Sequence, residues 1–339
     1  MKAIRYHGGA DLRLEDIDPP TPEPDEVVVD VTACGVCGSD LHFLDGSAKT
    51  SRTPITLGHE IAGVVSDSRT EAWSPGDLVV VAAGVSCETC SRCREGRPNL
   101  CERVMMTGID FDGGWAEQVV VPSRALIKRP STLDAASAAV AADAGATALH
   151  AIERRGAVRS GMGVAVIGIG GLGSFAVQIA KLLGAAPIIA IDTNQEALDL
   201  ATSLGADEVV DASASESVGR AVKLLSEGGV DVAAEFVGAA TTVDAAVKSL
   251  RRGGIAVATG IGNTPLTTVP PTVLAMSEYE LRGSFGSLPG DNERILDWLD
   301  AGELQPPPLR RIPIAEAPGI IADAASARTD VARLVVEPA

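Results

Sequence analysis

The chain has 339 residues and a formal net charge of −17, with 46% hydrophobic but only 3% aromatic side chains. That length suits about two domains, and the negative charge repels phosphate backbones and anionic lipids, which argues against nucleic-acid and membrane-surface roles. With so few aromatics the core must be built from Val, Ile, Leu and Ala, a composition that suits parallel sheets covered by helices. The opening MKAIRYHGGADLRLED lacks the basic-then-apolar layout of a signal peptide, and no apolar run reaches the ~20 residues of a membrane span. A soluble, cytoplasmic protein is expected, in which six cysteines point to metal rather than to disulfides.

Residues 1–130 read as mostly β. EVVVDVTA (26–33), EIAGVVS (60–66), DLVVVAA (77–83) and AEQVVVP (116–122) are short Val-rich strands separated by Gly, Pro and Asp clusters. The Ala-rich run 133–155 is helical in tone, with a break expected around Asp143 to Gly145. From 163 the pattern alternates. GVAVIGIG, PIIAID, DEVVD, VDVAAEFVG and IAVATGIG are strands. GLGSFAVQIAKLLG, NQEALDLATSLG, 214–227 and AATTVDAAVKSLRRGG are the helices between them. This order predicts an α/β fold with a doubly wound parallel sheet, which ELRGSFG (280–286) closes. Two helices, 291–303 and 314–327, and a final strand over 332–338 follow.

Three constellations carry chemistry. Cys87, Cys90, Cys93 and Cys101 form C-x2-C-x2-C-x7-C in one loop, 86–101. Four thiolates on so short a loop can wrap a tetrahedral zinc, and the rival reading, disulfides, belongs to short secreted chains. Gly168, Gly170, Gly171, Leu172 and Gly173 lie in a G-x-G-x-x-G between the strand Val164–Ile167 and a helix, the context in which such a loop cradles a dinucleotide pyrophosphate. Asp192 sits about 20 residues on, where a carboxylate accepts from ribose hydroxyls and repels a 2′-phosphate. No Arg follows it, so NAD is favoured over NADP. Finally Cys37, His59, Glu60 and Asp143 are scattered in sequence but are all suitable zinc ligands. By itself His59 could be a structural histidine, and Cys34-x-x-Cys37 a redox pair.

GVCGSDLH, GHEIAG, the four-cysteine lobe, GGWAE, DAGAT and the dinucleotide loop occur in an order that resembles the zinc-dependent medium-chain dehydrogenase/reductases of the alcohol dehydrogenase type, over essentially the whole chain. The resemblance implies a GroES-like β-rich catalytic domain over 1–146 that carries a structural zinc lobe at 86–101. It implies a Rossmann NAD-binding domain over 147–287 and a C-terminal return over 288–339. It implies two Zn2+ per chain, one held by Cys37, His59 and Asp143 and one by the lobe cysteines. Glu60 matches a glutamate that can approach the metal, and Asp40 the carboxylate that orients the histidine ligand. Ser39 matches the hydroxyl that takes the substrate proton, and His42 the outer end of that relay. Thr147 matches a threonine near the nicotinamide, and Arg333 an arginine on the pyrophosphate.

Two departures stand out. Many relatives carry Cys where this chain has Asp143. A bulky aromatic that relatives place shortly before the first lobe cysteine is replaced by Ala82-Ala83-Gly84, and Ala48 stands where a relative carries Trp. A roomier pocket is expected, for secondary, cyclic or bulky alcohols and their ketones or aldehydes. Trp115 and Cys34 are expected to be core residues. Family members are homodimers or homotetramers. The competing readings are a polyol or amino-alcohol dehydrogenase of the same superfamily and a non-catalytic zinc- and nucleotide-binding protein.

Overall fold

One long strand, Glu26–Gly35, organises the N-terminal part of the chain. Val27, Val29 and Val31 lie in the apolar core while Asp30 and Thr32 are exposed, a period-two alternation in the middle of the strand, and both faces are buried toward its ends at Val28 and at Ala33 and Cys34. Its length lets it pair antiparallel with Gln118–Pro122, with Glu60–Ser68 and with Arg333–Glu337. The computed structural model describes residues 1–327 and 333–338. It divides into two units. The first is Met1–Ala146, Gly286–Gly302 and Pro308–Ala339, and the second is Thr147–Phe285 with Glu303–Pro307.

In the first unit a seven-stranded sheet runs Leu126–Lys128, Leu78–Val81, Glu60–Ser68, Glu26–Gly35, Arg333–Glu337 and Leu309–Pro313, with Gln118–Pro122 joined to Glu26–Gly35. Trp115 and Cys34 are fully buried in its core, as the sequence suggests. A smaller sheet of Leu12–Asp16, Lys2–Tyr6 and Ile55–Thr56 has no counterpart in the sequence reading, because its strands are short and charged. The last strand includes Arg333 to Glu337; Ala332, expected to open it, lies outside the described residues.

The second unit is a six-stranded parallel sheet in the order Glu208–Asp211, Ile188–Asp192, Val164–Ile167, Val230–Glu235, Leu250–Ala258, Glu280–Gly283. The chain winds outward from Val164–Ile167 in one direction and then resumes beside it in the other. The carboxyl ends of Val164–Ile167 and Val230–Glu235 therefore flank the switch point at which such sheets bind ligands. Between the strands run Gly171–Leu182, Gln195–Leu204, Val218–Leu225 and Ala240–Ser249. This last helix stops earlier than its Lys and Arg suggested, since Leu250 already opens the next strand. Pro271–Ser277 is a helix that the alternating pattern did not reveal.

Two expectations are corrected. The helical run is not broken at Asp143. Ala135–Arg155 is continuous over 21 residues, and the stretch Ala141–Gly145 widens into a π-helical turn. That wider turn absorbs an Asp and a Gly without ending the helix, and a Cβ on Gly145 would meet Ile295 Cγ2 at 2.7 Å. This same helix passes the length and hydropathy test for a membrane span, contrary to the reading that nothing does, but 78% of its apolar window is buried inside the protein. It is the Ala-rich core helix of this fold.

Candidate functional site

Three strand ends build the first cluster. Gly35 pairs with Glu60 across the antiparallel register, so Cys37, two residues on, and His59, one residue before, meet at the same edge. Val335 pairs with Gly35 from the other side, which brings Arg333 to that edge too. The chain then turns into the helix Gly38–Leu44. The Asp40 carboxylate accepts from the Cys37 amide at 2.8 Å in a capping-box arrangement and fixes the start of that helix. Asp143 arrives from the π-helical turn.

One ligand atom each from Cys37, His59, Glu60 and Asp143 lies within 4.8 Å of the others. Cys37 Sγ and His59 Nε2 each lie 3.7 Å from Asp143 Oδ2. Ligand bonds of 2.0–2.3 Å around tetrahedral zinc give edges of about 3.3–3.8 Å, so the donor set fits that ion. Ser39 Oγ is 3.4 Å from His59 Nε2, on the same side. Behind the ring, Asp40 Oδ1 faces His59 Nδ1 at 3.4 Å, and Asp40 is fully buried. Such a carboxylate directs Nε2 toward a metal.

Electrostatics point the same way. Burial opposes a charge on His59, but Asp40, with Asp143 and Cys37, holds its pKa well above the usual imidazole value. Burial also opposes the charge on Asp143, yet its contact with His59 keeps its carboxyl below the usual range. Burial pushes Glu60 up to about 7 against the pull of Arg333. Glu60 Oε1 accepts from Arg333 Nη2, whereas its Oε2 is buried without a hydrogen-bond partner. Gly35 is required here, because a Cβ would stand 1.9 Å from that Oε2. A pocket that pulls a proton onto a buried histidine offers the same field to a divalent cation.

Cys87, Cys90, Cys93 and Cys101 form a second ligand cluster, and all are free thiols. Cys90 Sγ lies 3.5 Å from Cys93 Sγ and 3.8 Å from Cys101 Sγ. These are the edges of a zinc–sulfur tetrahedron, not S–S bonds, which would measure about 2.05 Å. Thr89 holds Cys87 down to about 5 through its amide and hydroxyl, while burial pushes Cys93 up to about 11. The amides of Cys87 and Arg103 both donate to Cys101 Sγ at 3.3 Å.

In the second unit Gly168 has φ +88°, and a Cβ on Gly173 would stand 1.9 Å from Gly168 O. At Gly170, the N-cap of Gly171–Leu182, a Cβ would meet nothing within 4 Å. The space over that helix end is open for a pyrophosphate, and Gly171 and Leu172 lie in its first turn. Asp192 ends its strand with Oδ2 accepting from the Ile169 amide at 2.7 Å and Oδ1 accepting from Thr193 and Asn194. The carboxylate thus also fastens the glycine loop.

The remaining residues fall as follows. Half-buried His42 lies one turn beyond Ser39, with Nδ1 3.0 Å from Ser47 Oγ and 3.7 Å from Asp45. Thr147 is half-buried, one turn beyond Asp143 in the core helix. Arg333 is engaged by Glu60 beside the Cys37 cluster in the first unit. The Glu60–Arg333 pair has no sequence signal, because its members lie 273 residues apart.

Comparisons with known proteins show the family. Residues 23–131 match the alcohol dehydrogenase GroES-like domain and residues 171–301 the zinc-binding dehydrogenase family. An NAD-dependent alcohol dehydrogenase of Sulfurisphaera tokodaii is 32% identical over 329 residues, 94% of either chain. A zinc-binding dehydrogenase from Sinorhizobium meliloti 1021 bound to NADP superposes with a TM-score of 0.91 at 32% identity, covering 99% of both chains. An acetophenone reductase from Geotrichum candidum in complex with NAD gives 0.88 at 29% identity, covering 99% of this chain and 97% of that one. With its two zinc-compatible clusters and its dinucleotide loop, the chain belongs to the zinc-dependent medium-chain dehydrogenase/reductases, as an NAD-dependent alcohol dehydrogenase.

Proposed function

We propose that the chain interconverts secondary, cyclic or otherwise bulky alcohols with their ketones or aldehydes, at a zinc held by Cys37, His59 and Asp143. The observation that carries this reading is the convergence of those three donors at tetrahedral spacing beside Ser39. When bound, zinc supplies Lewis acidity toward the substrate oxygen and NAD accepts the hydride. The chain's own residues supply the rest. Ser39 Oγ takes the hydroxyl proton, and His42, one turn further out, releases it to solvent with Ser47 and Asp45 beside its ring. Asp40 holds the imidazole of His59. Glu60 stands by as an alternative ligand, restrained by Arg333. The second zinc, on Cys87, Cys90, Cys93 and Cys101, has four thiolates and no open position, so it braces the lobe.

The substrate class follows from small side chains. Ala48 and Ala82-Ala83-Gly84 match positions where the resemblance puts larger side chains, and the acetophenone reductase that superposes on this chain is named for a bulky ketone. Gly168, Gly170, Gly171, Leu172, Gly173 and Asp192 hold NAD on this reading, with Thr147 near its nicotinamide and Arg333 on its pyrophosphate. The cytoplasm is the proposed compartment, because free cysteines in two ligand clusters suit reducing conditions. The proposed assembly is a homo-oligomer. Glu280–Gly283 is an edge strand, and Met276, Phe285 and Leu266 are 70%, 44% and 52% exposed, which suits burial against another copy.

Four outcomes are expected. Cys37→Ala lowers zinc from two ions per chain to one and abolishes alcohol oxidation; full activity with both ions retained contradicts the ligand set. In an NAD-reduction screen, kcat/KM is higher for secondary and cyclic alcohols than for ethanol, and a marked preference for ethanol refutes the roomy pocket. Asp192→Gly raises the NADP-to-NAD ratio of kcat/KM by about tenfold or more, whereas an unchanged ratio removes the ribose contact. Light scattering gives a mass of at least two chains, and a monomer at micromolar concentration rules out the proposed assembly.

A further inference from the structure

We infer that Glu235 is a positioning residue for the dinucleotide, building the wall of the binding crevice that faces the glycine loop. Two strand ends flank the switch point of the parallel sheet. Val164–Ile167 leads into Gly168, and its neighbour Val230–Glu235 ends in this carboxylate. The first end bears the glycine fingerprint. The second bears a fully buried glutamate that no motif assigns.

Its hydrogen bonds are concentrated on one atom. Oε1 accepts from the Val237 amide, the Gly238 amide and the Thr242 hydroxyl, each at 2.7 Å. It therefore ties the turn after its own strand to the first turn of the helix Ala240–Ser249, whose N-cap Ala239 has no capping side chain. Oε2 is buried and makes no hydrogen bond, so the whole constraint acts through a single oxygen.

The turn it holds presses on the glycine loop. A Cβ on Gly168 would stand 2.6 Å from Val237 Cγ2. The backbone of the two ends is also joined, by the Phe236 amide donating to Ile167 O at 2.9 Å. On the other side Gly238, with φ +85°, is packed so closely that a Cβ on Gly260 would meet its nitrogen at 2.1 Å. The turn has no slack on either side, yet Val237 itself is 49% exposed at the carboxyl edge of the sheet. Glu235 sets where that apolar side chain stands beside the loop, and so sets the width of the crevice.

This inference rests on the reading that the Gly168–Gly173 loop holds the dinucleotide, and the test separates the two. Glu235→Ala is expected to raise the NADH Kd in calorimetry about tenfold, because the three hydrogen bonds that hold the turn are lost. The KM for NAD should rise with it while kcat changes by less than about twofold, the signature of lost uniform binding. Zinc content stays at the wild-type value, and the Val237 and Gly238 amides exchange faster with deuterium. Glu235→Gln keeps an acceptor oxygen and is expected to retain the Kd within about threefold. Should Glu235→Ala not fold, Glu235→Asp, which withdraws the oxygen by one methylene, takes its place with the same expectation. A wild-type NADH Kd in the Ala or Asp variant overturns the proposal, and so does a Gln variant weakened as much as Ala. Gly173→Val is the control: if it leaves NADH binding intact, the loop reading fails, and the Glu235 proposal fails with it.

Discussion

The pairing of Glu26–Gly35 with Glu60–Ser68 is the constraint on which the proposed chemistry depends. It ends with Gly35 opposite Glu60, and that register alone brings Cys37 and His59 to one edge. A slip of one residue would turn every side chain of a strand to its other face. The Val27, Val29 and Val31 face prevents such a slip, because it is buried in the unit's main core. Two register shifts in this pair, between Val28 and Val29 and between Val31 and Ala33, let both strands keep their apolar faces inward up to the site. The hydrophobic pattern of the strands thus determines the spacing of the ligands.

The cluster that results is overcharged for a protein interior. Cys37, Asp143, Glu60 and Asp40 surround one histidine, and a buried charge is tolerated only when it is paired. Arg333 is the cation the chain itself provides, and it is bound to Glu60. The shift of His59 toward its charged form marks the unmet need for a second. A zinc on Cys37, His59 and Asp143, as proposed, would meet that need. The harder carboxylate of Asp143 in place of a thiolate leaves the donor set within the range this metal accepts.

Much of this was legible in the sequence because its signals are local. The four lobe cysteines lie within one loop, the glycine fingerprint spans six residues, and the strand–helix alternation repeats at short period. The parallel sheet itself was readable from that alternation, whereas the order of its strands was not. What was not legible is long-range or geometric. The place of Arg333 beside Glu60 is set by Val335 pairing with Gly35, a register between segments far apart in the chain. The continuity of the Ala135–Arg155 helix was missed because Asp and Gly are ordinarily breakers, and a π-helical turn accommodates both. Glu235 passed unnoticed because a glutamate at a strand end looks like a surface residue until its burial is known.

On the proposed ligation Cys37, His59 and Asp143 hold a zinc of mixed donors, distinct from the four-thiolate zinc of the lobe. X-ray absorption at the zinc edge of the purified protein tests it most directly. The account predicts a shell containing sulfur at about 2.3 Å together with nitrogen or oxygen at about 2.0–2.1 Å, including the outer-shell scattering of an imidazole. A shell of sulfur alone, with no imidazole contribution, would contradict it.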